Sequence, residues 1–406
     1  VAVGIGARAA AQDSLLELGA LAQSAGATVA GELFQSLKEI DPRTLIGAGK
    51  VAELRELARA RAADLVIFDQ SLAPAQARNL DQELNLRVID RTQLILDIFA
   101  QRARTQAGKL QVEVAQLSYL QPRLTRQWTH LSRLGGGAIG SRGPGETQLE
   151  VDRRRLSERL VRLRRRLKEV ARTRALQRQR RLDVPYPTVA LVGYTNSGKS
   201  TLMNALTGAQ VEVANRLFST LDPTIRRMKL PGGSSVMLSD TVGFVDRLPH
   251  LLIEAFKATL EEVRTANLLL HVVDGNSPRL SEQIEVVQGV LEEIGAGATP
   301  RLMVFNKADL GPLEAPRVHR EQAVSISALR GQGIDDLRAL VAGFFTRLSE
   351  EVEVTLPASR GDLVAAARRE GKVLSEEYGA TGVRMRALVT HSMAGRLRKA
   401  AGQAAV

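Results

Sequence analysis

The stretch Gly193-Tyr-Thr-Asn-Ser-Gly-Lys-Ser-Thr201 carries two glycines ahead of a Lys-Ser pair and lies between an apolar run and a helical pattern. The preceding residues, Thr188-Val-Ala-Leu-Val192, are β-branched and apolar, as in a fully buried parallel strand, and Leu202-Met-Asn-Ala-Leu206 continues with helical spacing. Strand, glycine loop and helix in that order make a phosphate-binding loop. Gly193 and Gly198 let the chain curl so that the N–H groups of Tyr194, Thr195, Asn196 and Ser197 point inward at phosphate oxygens, and the positive end of the helix adds to them. Lys199 is the candidate for a catalytic cation on the β/γ-phosphates. The Ser200 hydroxyl is a hard oxygen ligand suited to Mg²⁺, and Thr201 completes the binding loop.

The base is specified further along. Arg301-Leu-Met-Val-Phe305 reads as another buried strand, and Asn306, Lys307, Ala308 and Asp309 follow it. A carboxylate such as Asp309 only accepts, and it can take both the N1–H and the exocyclic NH₂ of guanine; adenine offers no such pair of donors on that edge. GTP is therefore favoured over ATP. Asn306 is expected to tie this loop to the phosphate loop, and the Lys307 stem to cover one face of the base. After the apolar run Ala323-Val-Ser-Ile326, the residues Ser327, Ala328 and Leu329 are expected to supply the backbone contact to the guanine carbonyl.

Two segments between these motifs are placed to sense the γ-phosphate. Asp240, Thr241, Val242 and Gly243 close the strand Ser235-Val-Met-Leu-Ser239, with Asp240 set to hold the Mg²⁺ shell through water and the Gly243 N–H free to meet the γ-phosphate. Phe218, Ser219, Thr220, Leu221 and Asp222 lie in the polar loop upstream, where the Thr220 hydroxyl, in preference to that of Thr224, completes the Mg²⁺ coordination. Thr220 and Gly243 join Lys199 as the catalytic candidates. The residue after Gly243 is Phe244, where small GTPases commonly place a glutamine that orients the attacking water. A phenyl ring there packs in the core or the switch and cannot position water, so hydrolysis is expected to depend on a partner.

The formal charge of +12 on 406 residues points to a polyanionic partner, and the absence of cysteine excludes disulfides and Cys-based metal sites. No apolar run approaches the roughly 20 residues needed to span a bilayer, and the N-terminus lacks a basic-then-apolar signal pattern, so a cytoplasmic protein without stable membrane insertion is expected. The chain opens on Val1, so some N-terminal residues are expected to be missing. Residues 153 to 181 hold thirteen Arg and one Lys against Glu158 and Glu169. Through this basic segment runs an apolar seam of Leu149, Leu156, Leu160, Leu163, Leu167 and Val170, which predicts one helix over 147–181, about 50 Å long. Its partner is the segment Gly108 to Leu120, with Leu110, Val114, Leu117 and Leu120 on one face, giving an antiparallel helical hairpin. The connection over residues 122 to 146 holds Gly135-Gly-Gly137 together with Arg123, Arg126, Trp128, His130, Arg133 and Arg142, groups that contact phosphates and stack on unpaired RNA bases.

Four parts are thus expected. Residues 1–104 alternate short apolar runs (2–5, 27–30, 64–68, 86–89) with helical patterns, an α/β domain with a largely parallel sheet. Gly47-Ala-Gly-Lys50 within it reads as a helix-start turn, since it lacks full phosphate-loop spacing. The hairpin occupies 105–183, a P-loop domain 184–348, and a small α+β domain 349–406 with no catalytic motif.

The five nucleotide motifs in this order resemble the translation-factor-related GTPases. Gly193 to Thr201, Leu217-Phe-Ser-Thr-Leu-Asp-Pro-Thr224 and Asp240-Thr-Val-Gly-Phe244 look like the HflX family, as do Asp41-Pro-Arg-Thr-Leu-Ile-Gly-Ala-Gly-Lys50, the segment Val88 to Ala103, and Gly143-Pro-Gly-Glu-Thr-Gln-Leu-Glu150. The resemblance implies a monomer that binds GTP or GDP, the large ribosomal subunit and its ribosomal RNA. It further implies ribosome-stimulated hydrolysis and a hairpin tip that enters the peptidyl-transferase region. Separation or rescue of stalled or idle ribosomes is the expected work. The alternatives are a GTP-regulated RNA-binding or assembly factor that never splits subunits, and a switch for a protein partner.

Overall fold

The computed structural model describes residues 2–5, 8–36, 40–123, 148–182, 186–208, 218, 224–246, 260–311, 323–379 and 382–402. The chain divides into two compact units, one of residues 1–171, 216–221 and 247–256, the other of 172–215, 222–246 and 257–406.

In the first unit, β1 (Ala2–Ile5), β2 (Glu32–Gln35), β3 (Leu65–Phe68) and β4 (Arg87–Asp90) form a parallel sheet in the order β2-β1-β3-β4. The crossovers are α1 (Arg8–Ser24), α2 (Ala48–Ala60) and α3 (Pro74–Leu84). Leu54, Val66, Phe68, Leu80 and Val88 pack into one core between sheet and helices, so the alternation of apolar runs and helical patterns becomes an α/β layer. One expected strand is displaced. Residues 27–30 are irregular, and the strand forms at Glu32–Gln35 instead. The cause is the end of α1: Gly26 adopts φ +88°, and the Ala27 N–H bonds back to the Ala22 carbonyl at 3.0 Å. That closure caps the helix and withholds the Ala27 donor from any sheet. Gly47 does begin α2, and Lys50 pairs with Glu53 one turn on at 2.9 Å.

Two further helices leave β4. Asp90 caps α4 (Arg91–Arg102) by accepting from the Gln93 N–H at 2.9 Å, and Thr105 caps α5 (Gln106–Leu120) by accepting from the Gly108 N–H at 3.0 Å. The long basic helix is α6 (Gln148–Leu182). Its Leu156, Leu160 and Leu163 are buried with Leu110 and Val114 of α5, and Leu117, Leu167 and Val170 pack against that cluster. The seam is therefore covered by its expected partner stripe, while Arg153, Arg154, Arg155, Arg162, Arg165 and Arg166 stay exposed. Arg123, expected among the RNA-contacting groups, is engaged within this unit. Its guanidinium donates to Asp90 Oδ2 at 3.1 Å and to the Leu72 carbonyl, and lies 3.7 Å over the Tyr119 ring. Arg126, Trp128, His130, Arg133, Gly135 to Gly137 and Arg142 lie outside the described residues.

The second unit holds a six-stranded sheet in the order β10-β9-β8-β5-β7-β6, built from β5 (Thr188–Val192), β6 (Thr224–Lys229), β7 (Ser235–Asp240), β8 (Leu268–Asp274), β9 (Arg301–Asn306) and β10 (Ala323–Ser325). All neighbours are parallel except the β6–β7 hairpin. Its helices include α7 (Lys199–Thr207), α8 (Leu280–Glu293) and α9 (Ile334–Arg347). Strands β5 and β8 are buried almost throughout, as their unbroken apolar runs require. Strands β11 (Ser349–Leu356), β12 (Lys372–Gly379) and β13 (Gly382–Thr390) form an antiparallel sheet in the order β11-β13-β12. Its alternating Val352, Val354 and Leu356 face α10 (Gly361–Glu370) and α11 (His391–Ala400), while Glu353 and Arg384 pair at 2.6 Å.

Candidate functional site

The buried strand β5 delivers the chain into a loop that tolerates only glycine at two points. Gly193 has φ +154°, and a Cβ there would sit 2.1 Å from the Val272 carbonyl oxygen; Gly198 has φ +92°, and its Cβ would sit 2.2 Å from Asn306 Nδ2. Between them the backbone turns over into α7, whose first residues are Lys199 and Ser200. The Lys199 ammonium donates to the Gly193 and Tyr194 carbonyls at 3.0 and 2.8 Å, inside the loop. Burial pushes its pKa down to about 8, while the Asp240 charge acts in the opposite direction. The ammonium thus sits where a polyanion would further favour its charged form. Asn196 is exposed, with φ +61°.

Asp240, at the end of β7, is fully buried and accepts from the Ser200 hydroxyl at 2.7 Å. Hydroxyl and carboxylate together make a hard oxygen pair beside the phosphate loop, the donor set that suits Mg²⁺. Thr241 and Val242 contribute their side chains to the fold; the Thr241 hydroxyl donates to the Leu191 carbonyl at 2.6 Å. Gly243 is closely packed: a Cβ there would lie 2.9 Å from Thr195 Cγ2 and 3.0 Å from both Thr195 Cα and Lys199 Nζ. Beyond it the chain is stitched to the phosphate loop. The Phe244 N–H donates to the Gly193 carbonyl at 3.1 Å, the Thr195 N–H donates to the Phe244 carbonyl at 2.7 Å, and the Asp246 N–H donates to the Tyr194 hydroxyl at 2.8 Å. The Phe244 ring is buried, which gives it the packing role and confirms that it presents nothing polar.

Asn306 ends β9 and joins two loops. Its Nδ2 donates to the Ser197 carbonyl at 2.9 Å and its Oδ1 accepts from the Ala328 N–H at 2.9 Å. The Ala328 donor, expected on the guanine carbonyl, is thereby engaged with Asn306 in this arrangement. Ser327 likewise acts through its neighbour: its hydroxyl donates to Asp309 Oδ1 at 2.5 Å and holds that carboxyl below the usual carboxylate range. The carboxylate is therefore ionised and acceptor-only at neutral pH. The Ala308 N–H donates to the Ile326 carbonyl, and Leu329 is 74% exposed. Lys307 has φ +67°; its ammonium pairs with Asp274 at 2.7 Å, and its carbonyl accepts from Asn276 Nδ2 at 2.7 Å. Asp274 and Asn276 were not singled out from sequence, although a polar Asp-Gly-Asn turn directly after the buried β8 is the available signal.

The remaining candidates divide. Phe218, also at positive φ (+56°), buries its ring in the first unit edge-on to Phe99 of α4, with centroids 4.7 Å apart. Its side chain is a packing group there. Ser219, Thr220, Leu221 and Asp222 lie outside the described residues. Among the described residues no group of His, Cys, Asp and Glu forms a metal cluster, and no helix is long and apolar enough to cross a membrane.

Comparison with known proteins agrees with this geometry along most of the chain. Residues 12–100 match the family described as GTP-binding GTPase N-terminal, 102–181 match GTP-binding GTPase Middle Region, and 188–307 match 50S ribosome-binding GTPase. The chain is 48% identical to GTPase HflX of Caldanaerobacter subterraneus over 95% of its own length and 90% of the relative's. Against GTPase HflX of Magnetococcus marinus it is 47% identical over 92% and 87% of the two chains. Against GTPase HflX of Escherichia coli the identity is 50%, over 86% and 83%.

Proposed function

Since the chain belongs to the HflX family of GTPases, and so binds and hydrolyses GTP, we propose that it docks on the large ribosomal subunit in its GTP form and uses the nucleotide cycle to separate or rescue stalled or idle ribosomes. The observation that carries this reading is a phosphate loop and a base-reading loop, joined by Asn306, in a chain whose longest helix among the described residues exposes a run of arginines. Arg153, Arg154, Arg155, Arg162, Arg165 and Arg166 stand clear of the apolar seam, a distribution suited to RNA phosphates. Around the nucleotide, Lys199 and the loop N–H groups other than that of Thr195, which is bonded to the Phe244 carbonyl, hold the phosphates, Asp309 reads guanine, and the Gly243 N–H distinguishes triphosphate from diphosphate.

The Ser200 and Asp240 oxygens fit Mg²⁺; Ser200 and Asp240 would hold the ion, and Thr220 would join them in the triphosphate form. Bound there, the ion would supply positive charge against the phosphates. In this reading the protein acts in the cytoplasm, as a monomer. The division at 104, 183 and 348 remains our reading of its four functional parts.

The test is sedimentation of intact ribosomes with the protein and GTP, a non-hydrolysable analogue or GDP. Dissociation into subunits that requires triphosphate is the expected result. Co-sedimentation without dissociation would assign it instead to an RNA-binding or assembly role, and no association in any nucleotide state would remove the ribosome from the account.

A further inference from the structure

Phe244 leaves the γ-phosphate end of the site without the polar side chain that usually follows Gly243, and one unsatisfied hydroxyl of the phosphate loop lies beside that end. Thr195 is 6% exposed, and its Oγ1 has no hydrogen-bond partner among the described residues. A buried hydroxyl without a partner is uncommon and carries a desolvation cost, so its retention calls for a ligand. Its location says which part of the ligand. Thr195 Cα and Cγ2, together with Lys199 Nζ, surround the point where a Gly243 Cβ would stand, at 3.0, 2.9 and 3.0 Å. Lys199 and the Gly243 N–H are the groups assigned above to the terminal phosphate, and Thr195 stands beside both. Its backbone is fixed in that place by the 2.7 Å bond from its N–H to the Phe244 carbonyl. Ser197 Oγ also lacks a partner among the described residues, but it lies next to Gly193, 3.1 Å from where a Cβ would be, away from Gly243.

We propose that the Thr195 hydroxyl is a catalytic group of this GTPase: it donates a hydrogen bond to a γ-phosphoryl oxygen during hydrolysis, supplying from the phosphate loop the polar contact that Phe244 cannot make. In that reaction the water oxygen bonds to the γ-phosphorus as the bond to the β–γ bridging oxygen breaks. The electron pair leaves on GDP, and the water's protons end on phosphate and solvent. The hydroxyl neither gains nor loses a proton overall; it stabilises charge on the transferring group. The proposal rests on GTP hydrolysis at this site and is independent of ribosome binding.

The test compares wild type, Thr195→Val and Thr195→Ser in three measurements without ribosomes. These are single-turnover hydrolysis, affinity for GDP and a non-hydrolysable GTP analogue, and thermal stability without nucleotide. Valine keeps the shape and removes the hydroxyl, so turnover should fall about 10- to 100-fold, the size of a lost donor to transition-state charge. GDP affinity should stay unchanged and melting should not fall, because no protein hydrogen bond is broken. Serine should restore most of the rate. Wild-type turnover in Thr195→Val would overturn the proposal, as would equal losses of GDP binding and turnover, or a serine variant as slow as the valine one. If wild type alone turned over too slowly to measure, the same three proteins are compared with ribosomes present, where a valine variant at the wild-type rate would overturn the proposal.

Discussion

Replacing Gly243 by alanine should separate triphosphate from diphosphate binding, and the geometry sets the size of the effect. The added methyl would lie 2.9 Å from Thr195 Cγ2 and 3.0 Å from Thr195 Cα and Lys199 Nζ. Carbon atoms pack at roughly 3.5–4.0 Å, so the backbone at 243 or the loop at 195 must retreat by about 0.5–1 Å. A donor moved about 0.5 Å from a 2.9 Å contact makes a weakened hydrogen bond, and one moved about 1 Å makes none. Loss of one hydrogen bond to a charged phosphate costs about 1.5–3 kcal/mol, or roughly a 10- to 150-fold weaker complex at about 1.4 kcal/mol per decade. GDP has no γ-phosphate and should be spared. Overpacking adds about 1–3 kcal/mol of destabilisation, so the titrations belong well below the melting temperature of each variant. Calorimetric titration with GDP and with a non-hydrolysable GTP analogue, at fixed Mg²⁺, reads both affinities. Equal weakening of the two nucleotides, or unchanged analogue affinity, would refute the assignment of Gly243 as the γ-phosphate sensor.

Asp309→Asn should weaken GTP at least about tenfold and favour xanthosine triphosphate, since the amide offers a donor to the xanthine 2-oxo group; a competition assay showing unchanged GTP preference would count against the base reading. Asn306→Ala removes the bonds to Ser197 and Ala328, so GDP and GTP affinities should fall together and thermal unfolding should shift by about 2 kcal/mol, readable by calorimetry. Burial places the Lys199 pKa near 8 and bound phosphate must raise it, so nucleotide affinity should be full below about pH 8 and decline as pH rises through that value. A flat profile from pH 7 to 9.5 in titrations would contradict it. Exchange of Arg153, Arg154 and Arg155 for glutamine should lower the slope of log affinity for large subunits against log salt by up to about 3, measured by sedimentation across a salt series.

What could be read from sequence was what the chemistry of the ligand dictates locally. Phosphate requires glycine where a Cβ would strike Val272 or Asn306, and that requirement is written in the spacing of Gly193 and Gly198. The apolar seam of α6 was equally legible, because helical periodicity is a local property. Pairings between distant residues were not. Arg123 looks like any surface arginine until β4 places Asp90, 33 residues earlier, under its guanidinium. The Tyr194 hydroxyl and the Asp246 amide are 52 positions apart and meet only because β5 and β7 are neighbours. Residues 27–30 have a strand's composition, yet the helix cap at Gly26 consumes the donor a strand would need. Lys307 followed the same pattern: its place was legible, and its ion pair with Asp274 was not.

The seam between the phosphate loop and residues 244–246 explains why this GTPase cannot recover the missing glutamine by moving Phe244. To bring residue 244 over the γ-phosphate, the bonds at 3.1 and 2.7 Å to Gly193 and Thr195 and the 2.8 Å bond from Asp246 to Tyr194 would all have to open. Each contributes about 0.5–1.5 kcal/mol net, and exposing the buried ring adds about 1.5–3 kcal/mol. The total of roughly 3–7.5 kcal/mol would lower the rate by two to five orders of magnitude before any chemistry began, and it would deliver a side chain with nothing to donate. Polar help at the γ-phosphate must therefore come from a residue of the loop itself, the role proposed for Thr195, or from a partner that reaches in. If both operate, Thr195→Val should reduce turnover with and without ribosomes by a similar factor, because the two contributions act on the same transition state from different sides. A variant slow alone but restored to the wild-type rate on ribosomes would show that the partner replaces the hydroxyl.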